Sequence, residues 1–189
     1  MALGAIILTG GAGSRMSTDK AALSWAGRRA VDRVAALAQA VGSQVVLTVG
    51  LQNYGLPLVR DGVPFGGPVG GVLSGVPILI EAGCDRVLVL AVDAPTIRAS
   101  DIEALLCHDG AGATFEGLHL PMVVDIGRLP AEALADWPLA RLLDRAGVAR
   151  LACSPDAQPR LRGANTPDEQ EVLLAELVAW EAAQKGGAG

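Results

Sequence analysis

The sequence has few aromatic residues and few cysteines. Aromatic residues make up 3% of the 189 residues, whereas hydrophobic residues of all kinds make up 51%. The core must therefore be largely aliphatic, which suits parallel strands covered by helices. The cysteines Cys84, Cys107 and Cys153 lie far apart, are odd in number and form no C-x-x-C pair. With only two histidines in the chain, we expect no zinc cage, and we interpret the cysteines as small core residues in a reducing compartment.

The sequence also lacks a long apolar run and a basic N-terminal segment. No stretch approaches the roughly 18 apolar residues that a membrane span requires. No basic residue precedes Arg15, which argues against a secretory signal, so we expect a cytoplasmic protein that does not bind a membrane. The net charge of −5 argues against a general nucleic-acid surface. A nucleotide site is still compatible with this charge, because it needs only a few local cations and a metal.

The chain does contain a glycine-rich turn directly after a short apolar strand. Residues 5–8 are typical of a buried strand, and residues 8–20 read L-T-G-G-A-G-S-R-M-S-T-D-K. Glycines leave backbone N–H groups free to face an anion, and the spacing of Arg15 and Lys20 lets both cations reach the same anion. We interpret the segment as a triphosphate site. An ordinary glycine-rich turn with two solvated cations is the alternative.

The sequence does not match the motifs of two better-known phosphate-binding loops. A Walker loop requires Gly-Lys-Ser/Thr, but Lys20 follows Asp19 and precedes Ala21. A dinucleotide fingerprint requires G-x-G-x-x-G, but the stretch that starts at Gly11 ends in Met16.

Strand-like and helix-like patterns alternate along the rest of the chain. Residues 113–116 and 118–124 are predicted to pair around Gly117. The order implies an α/β fold in which helices cover both faces of a mostly parallel sheet with one antiparallel strand. We expect Pro77 to end or kink its helix, Ser100 to cap the next, and Thr166 to cap the last. Apolar spacing predicts further strands at 44–49, 56–59, 86–92 and 148–153, and helices at 29–41, 69–81, 100–107, 139–146 and 167 to about 183.

Acidic residues follow two of the predicted strands. Ligands in such sheets bind beyond the carboxyl ends of the strands, which places the loop at 8–20, Asp61 and Asp93 along one edge. Asp93 follows the most apolar strand, where its carboxylate can hold a Mg²⁺ that bridges nucleotide phosphates. The alternative is an Asp that caps a loop stiffened by Pro95. The glycine-rich segment at 65–71 either lets a substrate approach the backbone or forms a surface turn.

The segment at 8–20 resembles the signature L-x-G-G-x-x-x-R-M-G-x-D-K of the small nucleotidyltransferases that build the molybdenum cofactor. The resemblance is strongest to the molybdenum cofactor guanylyltransferase family and extends in patches from about residue 5 to about residue 168. Ser17 stands where the family usually has Gly. The resemblance implies a three-layer Rossmann-like nucleotidyltransferase fold. The length of the chain predicts one domain, residues 1–185, and the Gly-Gly-Ala-Gly sequence predicts a disordered tail at 186–189. The resemblance also implies transfer of GMP from GTP to the phosphate of molybdopterin, with Mg²⁺ as cofactor.

The same resemblance assigns roles to individual residues. It implies catalytic roles for Arg15, Lys20 and Asp93, with Asp93 also the magnesium ligand. His119 resembles a family element near the pterin-binding cleft, and Asn165 is a candidate substrate contact, although a structural role suits either residue. Molybdoenzymes or their insertion chaperones are further candidate partners. The residues implied in nucleotide binding are Leu8, Thr9, Gly10, Gly11, Gly13, Lys20, Asp61 and Asp93.

Three departures leave alternatives open. Thr48 stands where some members have an Asn that helps to read guanine, and Gly163 replaces the first of two alternating asparagines. Gly10-Gly11 favours GTP, because cytidylyltransferase relatives tend to have Ala-Gly there. A molybdopterin cytidylyltransferase, or another nucleotidyltransferase that acts on a small-molecule phosphate, stays possible. So does a non-catalytic relative that binds a nucleotide or a partner, since Ser17, Thr48 and Gly163 all interrupt otherwise recognisable motifs.

Overall fold

A computed structural model of the protein describes residues 1–10, 19–60 and 67–186. Strands and helices alternate along most of this chain. The strands are β1 (Leu3–Leu8), β2 (Ser24–Trp25), β3 (Arg28–Arg29), β4 (Val45–Gly50), β5 (Leu58–Arg60), β6 (Arg86–Ala91), β7 (Gly112–Phe115), β8 (Met122–Asp125) and β9 (Ala149–Leu151). The helices are α1 (Ala30–Ala40), α2 (Gly67–Glu81), α3 (Ala99–Leu106), α4 (Leu139–Ala146), α5 (Gln158–Arg162) and α6 (Pro167–Gly186).

Seven strands form one mixed sheet in the order β5-β4-β1-β6-β8-β7-β9. The pairs β5–β4, β4–β1, β1–β6 and β7–β9 are parallel, and β8 runs antiparallel to both of its neighbours. This confirms the predicted mostly parallel sheet with one antiparallel strand. The reversal occurs at the hairpin around Gly117, whose positive φ of 73° suits glycine.

Helices cover both faces of the sheet, which makes three layers and confirms the predicted fold class. On one face, α1 and α3 pack through residues such as Val31, Val34 and Ile102. On the other face, α2 and α4 pack through residues such as Val72 and Leu142. The central strands β1 and β6 are buried on both faces, which is why they are continuous apolar runs.

Helix α2 continues through Pro77, so the expectation that Pro77 would end this helix is wrong. The buried side chains of α2 lie on both sides of Pro77 and keep the whole helix against the sheet. Two of its glycines allow a close approach, because an added Cβ at Gly71 or Gly75 would lie 2.6 Å from a methyl group of Leu8 or Ile6. Packing on β1 therefore accounts for Gly71, and a substrate approach to the backbone is not needed to explain it.

Other local features also differ from the predictions. Ser100 does not cap α3, which begins at Ala99 after an N-cap at Arg98. The Asp101 carboxylate accepts the backbone N–H of Arg98 at 2.9 Å instead. The β2–β3 hairpin and the short helix α5 were not predicted. Of the three free cysteines, Cys84 is buried, but Cys107 is exposed, so the interpretation as a core residue fails for Cys107.

The last helix, α6, packs against the beginning of the chain. Leu173 and Leu177 form a small core with Trp25 and Ala30. The helix ends at Gly186, the first residue of the predicted tail, and residues 187–189 lie outside the described chain. Among the residues that the structure describes, no helix combines the length and apolarity needed to cross a membrane.

Candidate active site

Four parallel strands bring their carboxyl ends to one edge of the sheet. Leu8 of β1 is level with Val49 of β4 and with Ala91 of β6, and Gly50 of β4 is level with Arg60 of β5. The chain leaves β1 and β6 here and enters the residues singled out from the sequence. The predicted meeting of these segments at one edge is therefore confirmed for the residues that the structure describes.

The first residues after β1 fold over the end of β4. The backbone N–H and the side-chain hydroxyl of Thr9 both donate to the Val49 carbonyl at 3.0 Å. An added Cβ at Gly50 would lie 2.2 Å from the Thr9 hydroxyl oxygen, so glycine is what allows this crossing. The Leu8 carbonyl already accepts the N–H of Val92 at 3.3 Å. Gly10 is exposed and begins the segment that leads to the rest of the predicted phosphate loop.

Lys20 begins a 3-10 turn, residues Lys20–Ala22, and is exposed. The preceding residue, Asp19, caps this turn: its carboxylate accepts the N–H of Ala21 at 3.0 Å. The same carboxylate accepts the hydroxyl of Tyr54 at 2.9 Å. The backbone that carries Lys20 is thus fixed by a buried tyrosine that the sequence did not single out.

Asp93 lies two residues beyond β6 and is half-buried. Burial raises the pKa of its carboxyl, and the positive charge of Lys20 acts in the opposite direction. The positive charge of Lys20 is therefore close enough to act on Asp93, although the two residues are far apart in the sequence. A partly buried carboxylate beside a lysine, at the end of a parallel strand, is typical of a functional site.

The segment after α5 packs directly on Asp93. The N–H of Ala164 donates to the Asp93 carbonyl at 3.1 Å. Gly163 has a φ of 72°, and an added Cβ would lie 2.3 Å from the same carbonyl oxygen. Sequence reasoning treated Gly163 only as a departure from the family pattern. In the structure it is the residue that lets this segment reach the end of β6.

Asn165 follows Gly163 and is exposed, and its backbone belongs to the cap of α6. The Glu169 carboxylate accepts the N–H of Asn165 at 2.8 Å and that of Thr166 at 3.1 Å. The Thr166 hydroxyl accepts the N–H of Glu169 at 3.3 Å, which completes the capping box. The predicted cap at Thr166 is confirmed, and a substrate role for the Asn165 side chain stays a prediction.

His119 lies in the hairpin between β7 and β8, at the same edge of the sheet as Asp93. It is exposed, and its Nδ1 lies 3.4 Å from a guanidinium nitrogen of Arg150. Its role toward a substrate stays a prediction. Thr48, by contrast, is fully buried, and its hydroxyl donates to the Pro57 carbonyl at 3.1 Å, so this hydroxyl already has a partner within the protein.

Gly11, Gly13, Arg15 and Asp61 lie outside the described residues. Within residues 1–10, 19–60 and 67–186, no three His, Cys, Asp or Glu side chains gather into a metal cage. The single carboxylate of Asp93 is compatible with Mg²⁺, because this ion is typically bound by one or two carboxylates. Substrate phosphates and water then supply the other oxygen ligands.

The structure of the chain is similar to those of solved nucleotidyltransferases. A nucleotidyl transferase from Methanothermobacter superposes with a TM-score of 0.72 at 17% identity, covering 94% of this chain and 98% of the other. A molybdopterin-guanine dinucleotide biosynthesis protein A from Archaeoglobus fulgidus superposes with a TM-score of 0.66 at 15% identity, covering 93% and 99%. At these identities the likeness concerns the fold alone. The chain thus has the fold of these nucleotidyltransferases.

Residues 5–155 match the model of the MobA-like NTP transferase domain, and the chain belongs to this family. A molybdenum cofactor guanylyltransferase from Xanthomonas euvesicatoria pv. vesicatoria is 28% identical over 180 residues, which cover 90% of this chain and 94% of that protein. Another from Ectopseudomonas mendocina is 30% identical over 201 residues, which cover 94% and 92%.

Proposed function

We propose that the protein transfers GMP from GTP to the terminal phosphate of molybdopterin and releases pyrophosphate. The observation that carries the proposal is the half-buried Asp93 at the carboxyl edge of the sheet, within electrostatic range of Lys20, in a chain of the MobA-like NTP transferase domain family. The names of the relatives from Xanthomonas and Ectopseudomonas support guanylyl transfer in particular.

The reaction requires the joining of two anions. An oxygen of the acceptor phosphate forms a bond to the α-phosphorus of GTP. The bond from that phosphorus to the bridging oxygen of the β-phosphate breaks, and its electrons leave with pyrophosphate. The attacking phosphate is already ionised, so no strong general base is needed. Catalysis then depends on positioning and on cations.

In this proposal, Lys20 and Arg15 bind the outer phosphates and the leaving pyrophosphate, and the amides near Gly10 cradle the triphosphate. Asp93 holds Mg²⁺, which when bound neutralises phosphate charge and orients the α-phosphate. The partial burial of Asp93 suits this role, because an ionised carboxylate in that environment gains from a cation. Asp61 positions the nucleoside.

The proposal of guanine as the base is based on the Gly10-Gly11 sequence and on the names of the relatives. Thr48 does not contribute to base selection in this proposal, since its hydroxyl is buried against Pro57. Any reading of guanine therefore falls to backbone groups near Leu8 and Gly10 and to the residues around Asp61.

The test is pyrophosphate release with Mg²⁺ and molybdopterin, comparing GTP, CTP, ATP and UTP. We expect release with GTP alone. Release with CTP instead would keep the chemistry but move the protein to the cytidylyl branch. No release with any nucleotide, from folded protein with active pterin, would overturn the proposal and favour another acceptor or a non-catalytic binding role.

Asp93→Ala should abolish turnover and magnesium-dependent GTP binding, because it removes the proposed metal ligand. The matched control is Asp125→Ala. Asp125 also ends a strand of the sheet, but β8 is antiparallel, so this carboxylate caps a 3-10 turn at the opposite edge. Wild-type turnover by the Asp93 variant would remove Asp93 from the mechanism.

A further inference from the structure

We propose that Tyr54 is a positioning residue for Lys20, acting through the carboxylate of Asp19. This inference rests on the proposed function, in which Lys20 binds the outer phosphates of the nucleotide. The Tyr54 hydroxyl bonds to the side chain of Asp19, the residue directly before Lys20. Its effect is carried by the cap of the turn that begins at Lys20.

Two groups donate hydrogen bonds to the Asp19 carboxylate. The Tyr54 hydroxyl lies 2.9 Å from one carboxylate oxygen and 3.0 Å from the other. The first of these oxygens also accepts the N–H of Ala21 at 3.0 Å. Lys20 is the residue between Asp19 and Ala21, so both of its neighbours are fixed by one carboxylate. A hydrogen bond to an ionised acceptor is stronger than a neutral one, which makes the Tyr54 contact an effective clamp.

Tyr54 is itself held in place by the body of the protein. It is 9% exposed and packs in the core beneath α1. Its backbone carbonyl accepts a guanidinium N–H of Arg29 at 2.9 Å, and Arg29 forms an ion pair with Asp32 of α1 at 2.7 Å. The residue that clamps Asp19 is therefore anchored in the same core as α1.

The need for such a clamp follows from the chemistry of lysine. A lysine is a point charge on a flexible stem, and its side chain does not define its own direction as a guanidinium fork does. Lys20 is exposed, so side-chain packing does not fix it either. Fixing the backbone at both neighbours is the means by which this chain limits where the ammonium group can go. Such preorganisation lowers the cost of binding phosphate in the correct geometry.

The first test needs no substrate. Tyr54→Phe keeps the ring and removes only the hydroxyl, so the core stays filled. We expect the Ala21 amide to exchange its hydrogen about tenfold faster in this variant, because the carboxylate that it bonds is no longer clamped. The control is Thr114→Val, which removes another buried hydroxyl, one that donates to the Pro121 carbonyl at 3.0 Å in a distant part of the sheet. Unchanged exchange at Ala21 in Tyr54→Phe would overturn the proposal.

The second test separates positioning from general stability. In wild-type protein, Tyr54→Phe should lower kcat/KM for GTP by about tenfold. In a Lys20→Ala background the same change should have little effect, because the group that it positions is gone. An equal loss in both backgrounds would assign Tyr54 a structural role only. If wild-type protein released no pyrophosphate at all, the proposed function would fail, and the exchange at Ala21 would still decide whether Tyr54 holds this turn.

Discussion

Lys20 is the residue on which the proposed chemistry depends most directly among those that the structure describes. The chain has only two lysines, and the other, Lys185, is exposed in the last turn of α6. Lys20→Ala should weaken GTP binding about tenfold or more and GMP binding much less, because the lost contact is to the outer phosphates. Calorimetric titration of both nucleotides measures the difference, with Lys185→Ala as the control. Equal losses for GTP and GMP would contradict the assignment.

Tyr54 offers a spectroscopic handle on the same turn, because it is the chain's one tyrosine. Burial, together with the hydrogen bond to the Asp19 carboxylate, raises the pKa of its phenol from 10.0 to about 12. Near-ultraviolet titration of the tyrosinate band should therefore give a pKa of about 12 in wild-type protein. Asp19→Asn should give a lower value, since it removes the negative charge that disfavours ionisation of the phenol. A wild-type pKa near 10 would contradict the buried contact.

This pKa shift also has a consequence for stability. The unfolded chain releases the phenol proton near pH 10.0, whereas the folded protein keeps it until about pH 12. The contribution of Tyr54 to stability is therefore complete below the lower pKa and is lost as the pH rises through the higher one. The free energy of unfolding should fall over this range in wild-type protein, and less steeply in Tyr54→Phe. Urea titrations at a series of alkaline pH values would compare the two proteins.

At the scale of elements, the contact between β6 and the segment after α5 is controlled by one glycine. Gly163 combines a φ of 72° with a ψ of −179°, a region that only glycine adopts readily. Gly163→Ala should cost about 1–3 kcal/mol in backbone strain, and its Cβ should displace the Asp93 carbonyl and lower turnover. Thermal unfolding and pyrophosphate release test the two effects separately.

The matched control for this prediction is Gly147→Ala. Gly147 ends α4 with the same φ of 72°, but its ψ is 30° and an added Cβ would lie 3.8 Å from the nearest atom. Gly147→Ala should therefore cost about 1–2 kcal/mol and leave turnover unchanged. Equal turnover in the two variants would show that the contact of Gly163 with Asp93 has no bearing on catalysis.

At the scale of the whole molecule, a buried charge network joins three helices that are far apart in the sequence. Arg160 of α5 binds Asp101 of α3 through two hydrogen bonds at 2.7 and 2.8 Å and also pairs with Glu176 of α6. The side chains of Arg160 and Asp101 are only 8% and 5% exposed. Arg160→Ala should destabilise the protein by about 3–5 kcal/mol, because it leaves the Asp101 carboxylate buried without its partner.

The surface pair of Arg145 with Glu132 serves as the control, since its side chains are 61% and 53% exposed. Arg145→Ala should change the free energy of unfolding by no more than about 1 kcal/mol. Chemical denaturation of both variants would measure the contrast. If Arg160→Ala lowered the free energy of unfolding as little as Arg145→Ala does, this result would mean that water reaches the network.

Much of this architecture could be predicted from local patterns. The apolar runs of β1, β4 and β6 identify strands buried on both faces, and Gly117 marks the hairpin that reverses the direction at β8. Asp93 was identifiable because a carboxylate directly after such a run has little reason to be there as packing. The expectation that Pro77 would end α2 failed because burial of α2 on both sides of Pro77 outweighs the missing hydrogen bond.

What the sequence could not indicate depends on contacts between distant segments. Tyr54 and Asp19 are 35 residues apart, and nothing in the local pattern around Tyr54 marks it as a partner of the Lys20 turn. The same holds for Gly163, because position 163 requires glycine only on account of its contact with the distant Asp93 carbonyl. The short helix α5 has a proline near its start and charged residues at its end, so it lacks a periodic apolar pattern.

The small core that joins Trp25 and Ala30 to Leu173 and Leu177 affects the order in which the protein can mature during translation. Its first half leaves the ribosome early, and its second half is near the end of the chain. The hairpin that leads from Lys20 into α1 therefore lacks its cover over Trp25 until α6 has been made. A nascent chain that has completed the central strands would still lack α6 over this hairpin, so the region beside the proposed phosphate site is finished only after α6 has been made.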